Sequence, residues 1–270
     1  MIMPRYIFSS FREAFASKLA KVYLIGTVVL ILIANIAVIC FRFIYGSNEG
    51  TFSYNVFEYA SWCFLIPYYS CILIALMAFG EDYIKPKEKG TPVPISKGNG
   101  TYDVIALKPW QIYVSKLIAS VMLAIVFLLF AFIVLYVTTT LFHINEGFIL
   151  WGVVKSFLSK AALSLPLWFA GISFAIMFLF MFEKKWLAVA GFSLVTVIVP
   201  QLIRIFSLDS FKIEFFRSIR RYTITQSFGL VPYPSYPERS VPLIITIGLV
   251  YAILAIIIGI CLYNRKGRRA

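Results

Sequence analysis

The sequence carries a single histidine, His143, in 270 residues. A zinc site of the HExxH type needs two histidines one helical turn apart, so that chemistry is excluded at once. Charge is also scarce: Asp, Glu, Lys and Arg together make up 14% of the chain, against roughly a quarter in soluble domains. The four cysteines (Cys40, Cys63, Cys71 and Cys261) lie in or beside apolar runs with neither CxxC nor metal-like spacing, and they read as small apolar fillers. There is no GxxxxGKS/T loop to cradle nucleotide phosphates, and no GxSxG elbow to present a serine nucleophile. No catalysis, resident metal or cofactor is expected from such a set.

Long apolar runs are what the chain has instead. Hydrophobic residues make up 61%, where roughly 45–50% is usual in soluble domains. The expected class is an all-α polytopic membrane protein, a single transmembrane domain over residues 1–270. A surface helix over residues 1–21 comes first. In it Ile7, Phe8, Phe11, Phe15 and Leu19 recur at helical spacing, with Arg5, Arg12, Glu13 and Lys18 elsewhere on the wheel, a pattern that lies in the headgroup plane. This charged stretch of about 20 residues is longer than a signal n-region, so no cleavable signal is expected. Six spans are expected, from Val22 to Phe43, Phe57 to Phe79, Ile112 to Phe142, Leu158 to Phe182, Leu187 to Phe206 and Val241 to Tyr263. Pro67, Pro166 and Pro200 fall inside them as kinks that neighbouring helices can support.

The formal charge of +13 reads as topology, because basic residues collect in short cytoplasmic loops; no nucleic-acid partner is expected. With both termini cytoplasmic, the inner side holds 16 of the 25 lysines and arginines. Five of the remaining nine follow the fifth span, an excess on the outer side that the basic tail, the Lys184-Lys185 turn and the basic first loop outweigh. Trp110, Trp151 and Trp186 fall at predicted boundaries, where indoles settle at the headgroups. His143 falls in or beside a short outer loop. Inside the membrane Asn35 and Glu58 are the polar exceptions. An interhelical hydrogen bond is the plain reading of Asn35 and an outer-interface position that of Glu58, with the lining of a transport path as the alternative for both.

The largest inner segment, residues 80–111, is far longer than the 2–8 residues that usually join helices in a bundle. Pro86, Gly90, Pro92, Pro94, Gly98 and Gly100 break it into irregular chain. Thr101 is placed to cap a helix of about two turns, with Asp103 in its first turn, Lys108 in its last and Pro109 as the stop. Tyr102 and Ile105 would share one face of it. Such a helix is marginal alone in water, so it either rests on its own membrane surface or seats in a partner.

The order of elements resembles the type-2 permeases of ATP-binding-cassette exporters, the class that serves drug, polysaccharide and lantibiotic-immunity export. In that family the loop carries an acidic residue, a Gly-Thr pair, a proline and a lysine opening the third span. Here Glu81 or Glu88, Gly90-Thr91 or Gly100-Thr101, Pro109 and Lys116 match. The Pro109 to Lys116 interval is shorter than the family's, and the acidic residue lies farther from Gly100. The resemblance implies a bacterial cell-membrane exporter of a peptide, lipid or other amphipathic compound. It implies a second permease copy or paralogue, and separate ATPase subunits that bind the ATP and magnesium. Glu81, Glu88, Gly100, Thr101, Tyr102, Ile105, Pro109 and Lys116 would couple the chain to those subunits.

Residues 207–240 form the second polar region. Asp209 or Ser210 is placed to cap a helix in which Phe211, Phe215, Ile219 and Tyr222 repeat, and prolines 232, 234 and 237 stiffen the return. It reads as a solvated amphipathic lid, or as an outer gate whose Arg217, Arg220 and Arg221 meet anionic headgroups or an anionic substrate. Two other classes stay open: an integral membrane enzyme acting on lipid, and a secondary transporter or scaffold with no ATPase.

Overall fold

A computed structural model describes residues 2–45, 56–57, 68–79, 92–96, 102–106, 108–142, 151–182, 184–207, 213–220, 222–224, 227 and 240–266. Nearly all of these are helical. Among the described residues, five helices are long and apolar enough to cross a bilayer: Lys18–Phe41, Trp110–Phe142, Trp151–Met181, Lys185–Phe206 and Val241–Asn264. The chain is therefore a multi-pass membrane protein. The expected second span is described as a 12-residue helix, α3 (Tyr68–Phe79); most of its first half, with Pro67, lies outside the described residues.

Helix α1 (Ile2–Ala16) and helix α2 (Lys18–Tyr45) are separated by a bend at Ser17. The Ser17 hydroxyl accepts the Ala20 N–H at 3.1 Å, the bond by which a serine caps a helix start. Tyr6, Ser10 and Ala14 are buried in α1 while Phe8 is 63% exposed. The face turned to the bundle is thus a polar-aromatic one, and Phe8 is left for the surroundings, while the half-exposed Phe15 ring lies 6.5 Å from that of Phe127.

Helix α4 (Pro109–Phe142) starts earlier than the apolar run suggests. Pro109 occupies its first position, where the missing N–H is no loss. The Gln111 Oε1 accepts the Lys108 N–H at 2.8 Å, which is the back-reaching half of a capping box. Pro109 is therefore a start signal and not the stop of a preceding helix. The expected short helix at Thr101–Lys108 is corrected with it: Tyr102–Ala106 is a strand, β2, paired antiparallel with β1 (Pro92–Ser96). Ser96 faces Tyr102 across the register and Val93 faces Ile105. The physical reason lies in side-chain preference and turn chemistry. Tyr102, Val104 and Ile105 favour strand, and Asn99-Gly100 is the strongest short-range hairpin signal. Both strands are edges, so Pro92 and Pro94 are tolerated.

The centre of the bundle is α5 (Trp151–Met181), where 72% of the most apolar window is buried. It packs most extensively against the last helix, α9 (Ser240–Lys266). Glycine sets that contact. A side chain on Gly248 would put its Cβ 2.7 Å from the Pro166 carbonyl carbon, and one on Gly171 would meet the Cys71 sulfur at the same distance. Small residues that let backbones approach are what drives helix association where there is no water to expel.

The fifth span combines α6 (Lys185–Ser193), a π-helical turn at Leu194–Ile198 and α7 (Val199–Phe206). Pro200 cannot donate to the carbonyl four residues back, and one extra residue per turn absorbs the mismatch. Thr196 donates its hydroxyl to the Phe192 carbonyl at 2.7 Å inside that turn. Beyond it, Glu214–Arg220 forms α8; the expected caps Asp209 and Ser210, and Phe211 after them, lie outside the described residues. Its inward ring is Phe216, stacked on Phe206 with centroids 5.3 Å apart, while Phe215 is 67% exposed.

Gly248→Leu is expected to destabilise the protein by about 1–3 kcal/mol, as overpacking does, or to abolish folding. Gly26→Ala, which meets nothing within 4 Å, is expected to leave stability unchanged. Thermal unfolding of the two variants in detergent checks this.

Candidate functional site

One end of the bundle gathers the last turns of α3, α5 and α9, the first turns of α4, and the face of α1. Lys116, two turns into α4, is buried there with 5% of its surface exposed. Its Nζ donates to the Ala78 carbonyl at 2.7 Å. Ala78 is the penultimate residue of α3, where carbonyls have no helical donor and the helix dipole is negative. The same ammonium lies 5.5 Å from the Tyr6 ring centroid and 6.0 Å from that of Phe79, within the range of cation–π attraction. One lysine thus ties three elements: α1 through Tyr6, α3 through Ala78 and Phe79, and α4 through its own backbone.

The energies show why such a knot holds. Removing an ammonium from water costs several kcal/mol. A charge-assisted hydrogen bond returns about 1.5–3 kcal/mol and a desolvated cation–π contact about 2. The arrangement comes out near balance when complete, and each partner lost tips it.

Aromatic rings extend the knot to the remaining helices. Phe180 of α5 meets Phe79 at 4.9 Å, Tyr113 at 5.0 Å and Tyr263 of α9 at 4.5 Å between centroids. Tyr113 donates its hydroxyl to the Ala255 carbonyl at 3.4 Å. The approach requires Gly259, whose Cβ, if present, would stand 2.6 Å from the Tyr113 ring. Burial raises the Tyr6 phenol above its ordinary range, with a Ser10 hydrogen bond opposing and Tyr263 and Glu13 adding to the rise. Tyr6 therefore stays a neutral ring over the Lys116 cation at neutral pH. Its contribution is whole below the usual tyrosine pKa of about 10 and is lost as pH rises beyond it.

Of the residues assigned to coupling, Pro109 opens α4 and Lys116 lies two turns further along it. Tyr102 and Ile105 fall on β2, and Glu81, Glu88, Gly100 and Thr101 lie outside the described residues. Of the outer arginines, Arg220 ends α8 and donates to the Ser207 hydroxyl at 3.3 Å. Arg217 lies within α8, and Arg221 is outside the described residues, as are Glu58 and His143. Asn35 is fully buried between α2 and α4, and its amide donates to the Ile31 carbonyl at 2.9 Å and to the Thr138 hydroxyl at 3.4 Å. Its Oδ1 has no partner among the described residues, and neither do Ser115 Oγ, Thr139 Oγ1 and Trp168 Nε1.

Tyr6, Phe79, Tyr113, Phe180 and Tyr263 escaped the sequence reading. Each sits in an apolar run that periodicity cannot tell from lipid-facing surface. The one available signal was their common placement near the predicted inner boundary. Among the described residues no three His, Cys, Asp or Glu converge to hold a metal ion. What the arrangement does is mechanical: it joins the two ends of the 80–108 segment to one another and to α1, α5 and α9. In comparisons with known proteins, no family model and no curated protein matches this chain.

With Cys40, Cys63 and Cys261 changed to serine, Ser10→Cys is expected to react slowly with maleimide. Adding Lys116→Met is expected to speed that reaction roughly tenfold to a hundredfold, the loss of a charge-assisted hydrogen bond, while Lys116→Arg preserves partial protection. Cys71, packed on Gly171, is the internal control and stays protected. Mass spectrometry of the labelled chain reads both sites.

Proposed function

We propose that this chain is the membrane-spanning subunit of an ATP-driven exporter, working as a dimer with separate nucleotide-binding subunits. The observation that carries the reading is the Lys116 knot. Helix α3 ends at Phe79 and α4 begins at Pro109, and Lys116 grips the Ala78 carbonyl across that gap. A push on the segment is therefore delivered to α1, α3, α4 and, through Phe180, to α5. In this scheme the β1–β2 hairpin, in place of a coupling helix, is the part that meets the ATPase, on the cytoplasmic side with both termini.

Residues ahead of α3 complete a sixth span, since 12 residues rise only about 18 Å and cannot cross a hydrocarbon core of about 30 Å. The fifth span and α2 have the least buried windows of the five described, at 17% and 22%, which leaves their apolar faces for lipid and a second copy. The cargo is a peptide, lipid or other amphipathic compound. It passes between the copies, with the arginines of the region after α7 as an outer gate.

A search beside its gene for a reading frame with a nucleotide-binding loop, then co-purification with its product and an ATPase assay, tests the scheme; the lack of such a frame would count against it. ATP hydrolysis is expected from the pair and not from this chain alone, and Lys116→Met is expected to uncouple hydrolysis from transport. Transport that continues after ATP depletion would favour a secondary transporter, and a lipid-modifying activity of the lone chain would favour an enzyme. Labelling of Lys97→Cys from outside the cell would overturn the orientation.

A further inference from the structure

Midway along the bundle, α4 and α5 stand apart. From Val121 to Leu128 on α4 four apolar side chains follow i, i+3, i+4, i+7 spacing, and from Leu165 to Ile172 on α5 four more repeat it. Two stripes of this kind normally interdigitate. Here they face each other across a cleft of about 180 Å³, lined wholly by apolar residues. Its floor is closed, with Ala124 8%, Trp168 7% and Ile172 1% exposed. Its lip is open, with Ile125 48% and Leu165 47% exposed. Packed helix pairs leave few voids of this size.

We infer that this cleft is a binding site for a single phospholipid acyl chain entering from the side. Depth decides the class of ligand. Roughly 13 Å or more of helix separates the cleft from either end of α4 and α5, and the one side-chain polar group among its lining residues is the buried Trp168 Nε1, too little to hold a headgroup or a peptide backbone. Size decides between hydrocarbons. A helix is about 10–12 Å across and does not enter, whereas a cavity of about 150 Å³ holds a six-carbon ring, so this cleft suits a comparable length of flexible chain. The aromatic floor at Trp168 and Phe169 offers the extended dispersion contacts that a disordered lipid neighbour would not. The site is separate from the Lys116 knot and holds whether or not the chain has an ATPase partner.

The full-length chain in phosphatidylcholine nanodiscs, doped with phosphatidylcholine bearing a mid-chain diazirine, tests the proposal. After photolysis, adducts are mapped by mass spectrometry. Residues 121–128 and 165–172 are expected to carry roughly fivefold more label than Ile253 and Ile257 of α9, which are 55% and 54% exposed and report ordinary surrounding lipid. Ala124→Phe, or Val121→Phe if the first variant fails to fold, fills the cleft. Either is expected to bring its label down to the α9 level while leaving α9 unchanged. Equal labelling of cleft and α9, or a cleft signal that survives filling, overturns the site. So does efficient disulfide formation between copies carrying Ile125→Cys, which would mean that a second copy covers it.

Discussion

A single ammonium group held away from water ties together one end of this molecule. Lys116 is tolerable at 5% exposure because α3 ends beside it and offers the Ala78 carbonyl, one of the acceptors that every helix leaves unused. The bond answers two needs at once, a buried cation and an orphan carbonyl. The Tyr6 ring then closes the remaining side, so α1 is seated by the same charge that fastens α3 to α4. Phe180 carries the contact onward to the central helix and to α9.

The rest of the bundle relies on close approach of backbones, not on polar bonds. Gly171 against Cys71, Gly248 against Pro166 and Gly259 against Tyr113 are places where a Cβ would collide, and they pin α3, α9 and α4 to one another and to α5. Lipid competes equally for apolar side chains, so this shape matching is what selects one arrangement. Hydroxyls inside the spans spend their hydrogen bonds on their own helix, as Ser164 on Ala161, Ser173 on Phe169 and Thr196 on Phe192. The Asn35–Thr138 contact between α2 and α4 is of the other kind, a polar tie between helices.

The dense contacts around Lys116 contrast with the fifth span. There a π turn beside Pro200 interrupts the helix and only 17% of the most apolar window is buried. In the proposed scheme, the knotted end would receive the push and the irregular span would be where the bundle yields.

Hydrophobic run length and the scarcity of charge determined by themselves that the chain is helical and crosses a membrane, because a bilayer admits so few backbone arrangements. Lysine at position 116 was singled out only through the family resemblance, as the lysine that opens the third span. Its partners were not. Ala78, Tyr6 and Phe180 are ordinary letters in apolar or amphipathic stretches, and their meeting is a product of how α1, α3, α4 and α5 cross. The hairpin at 92–106 was open to reading through Asn99-Gly100, yet a Thr cap and a following proline spelled a helix equally well. Pro109 became a helix start once the Gln111 side chain was seen to reach back to Lys108. The cleft between α4 and α5 lay wholly beyond the sequence, since matching apolar stripes say that two helices can pack but not that they stand apart.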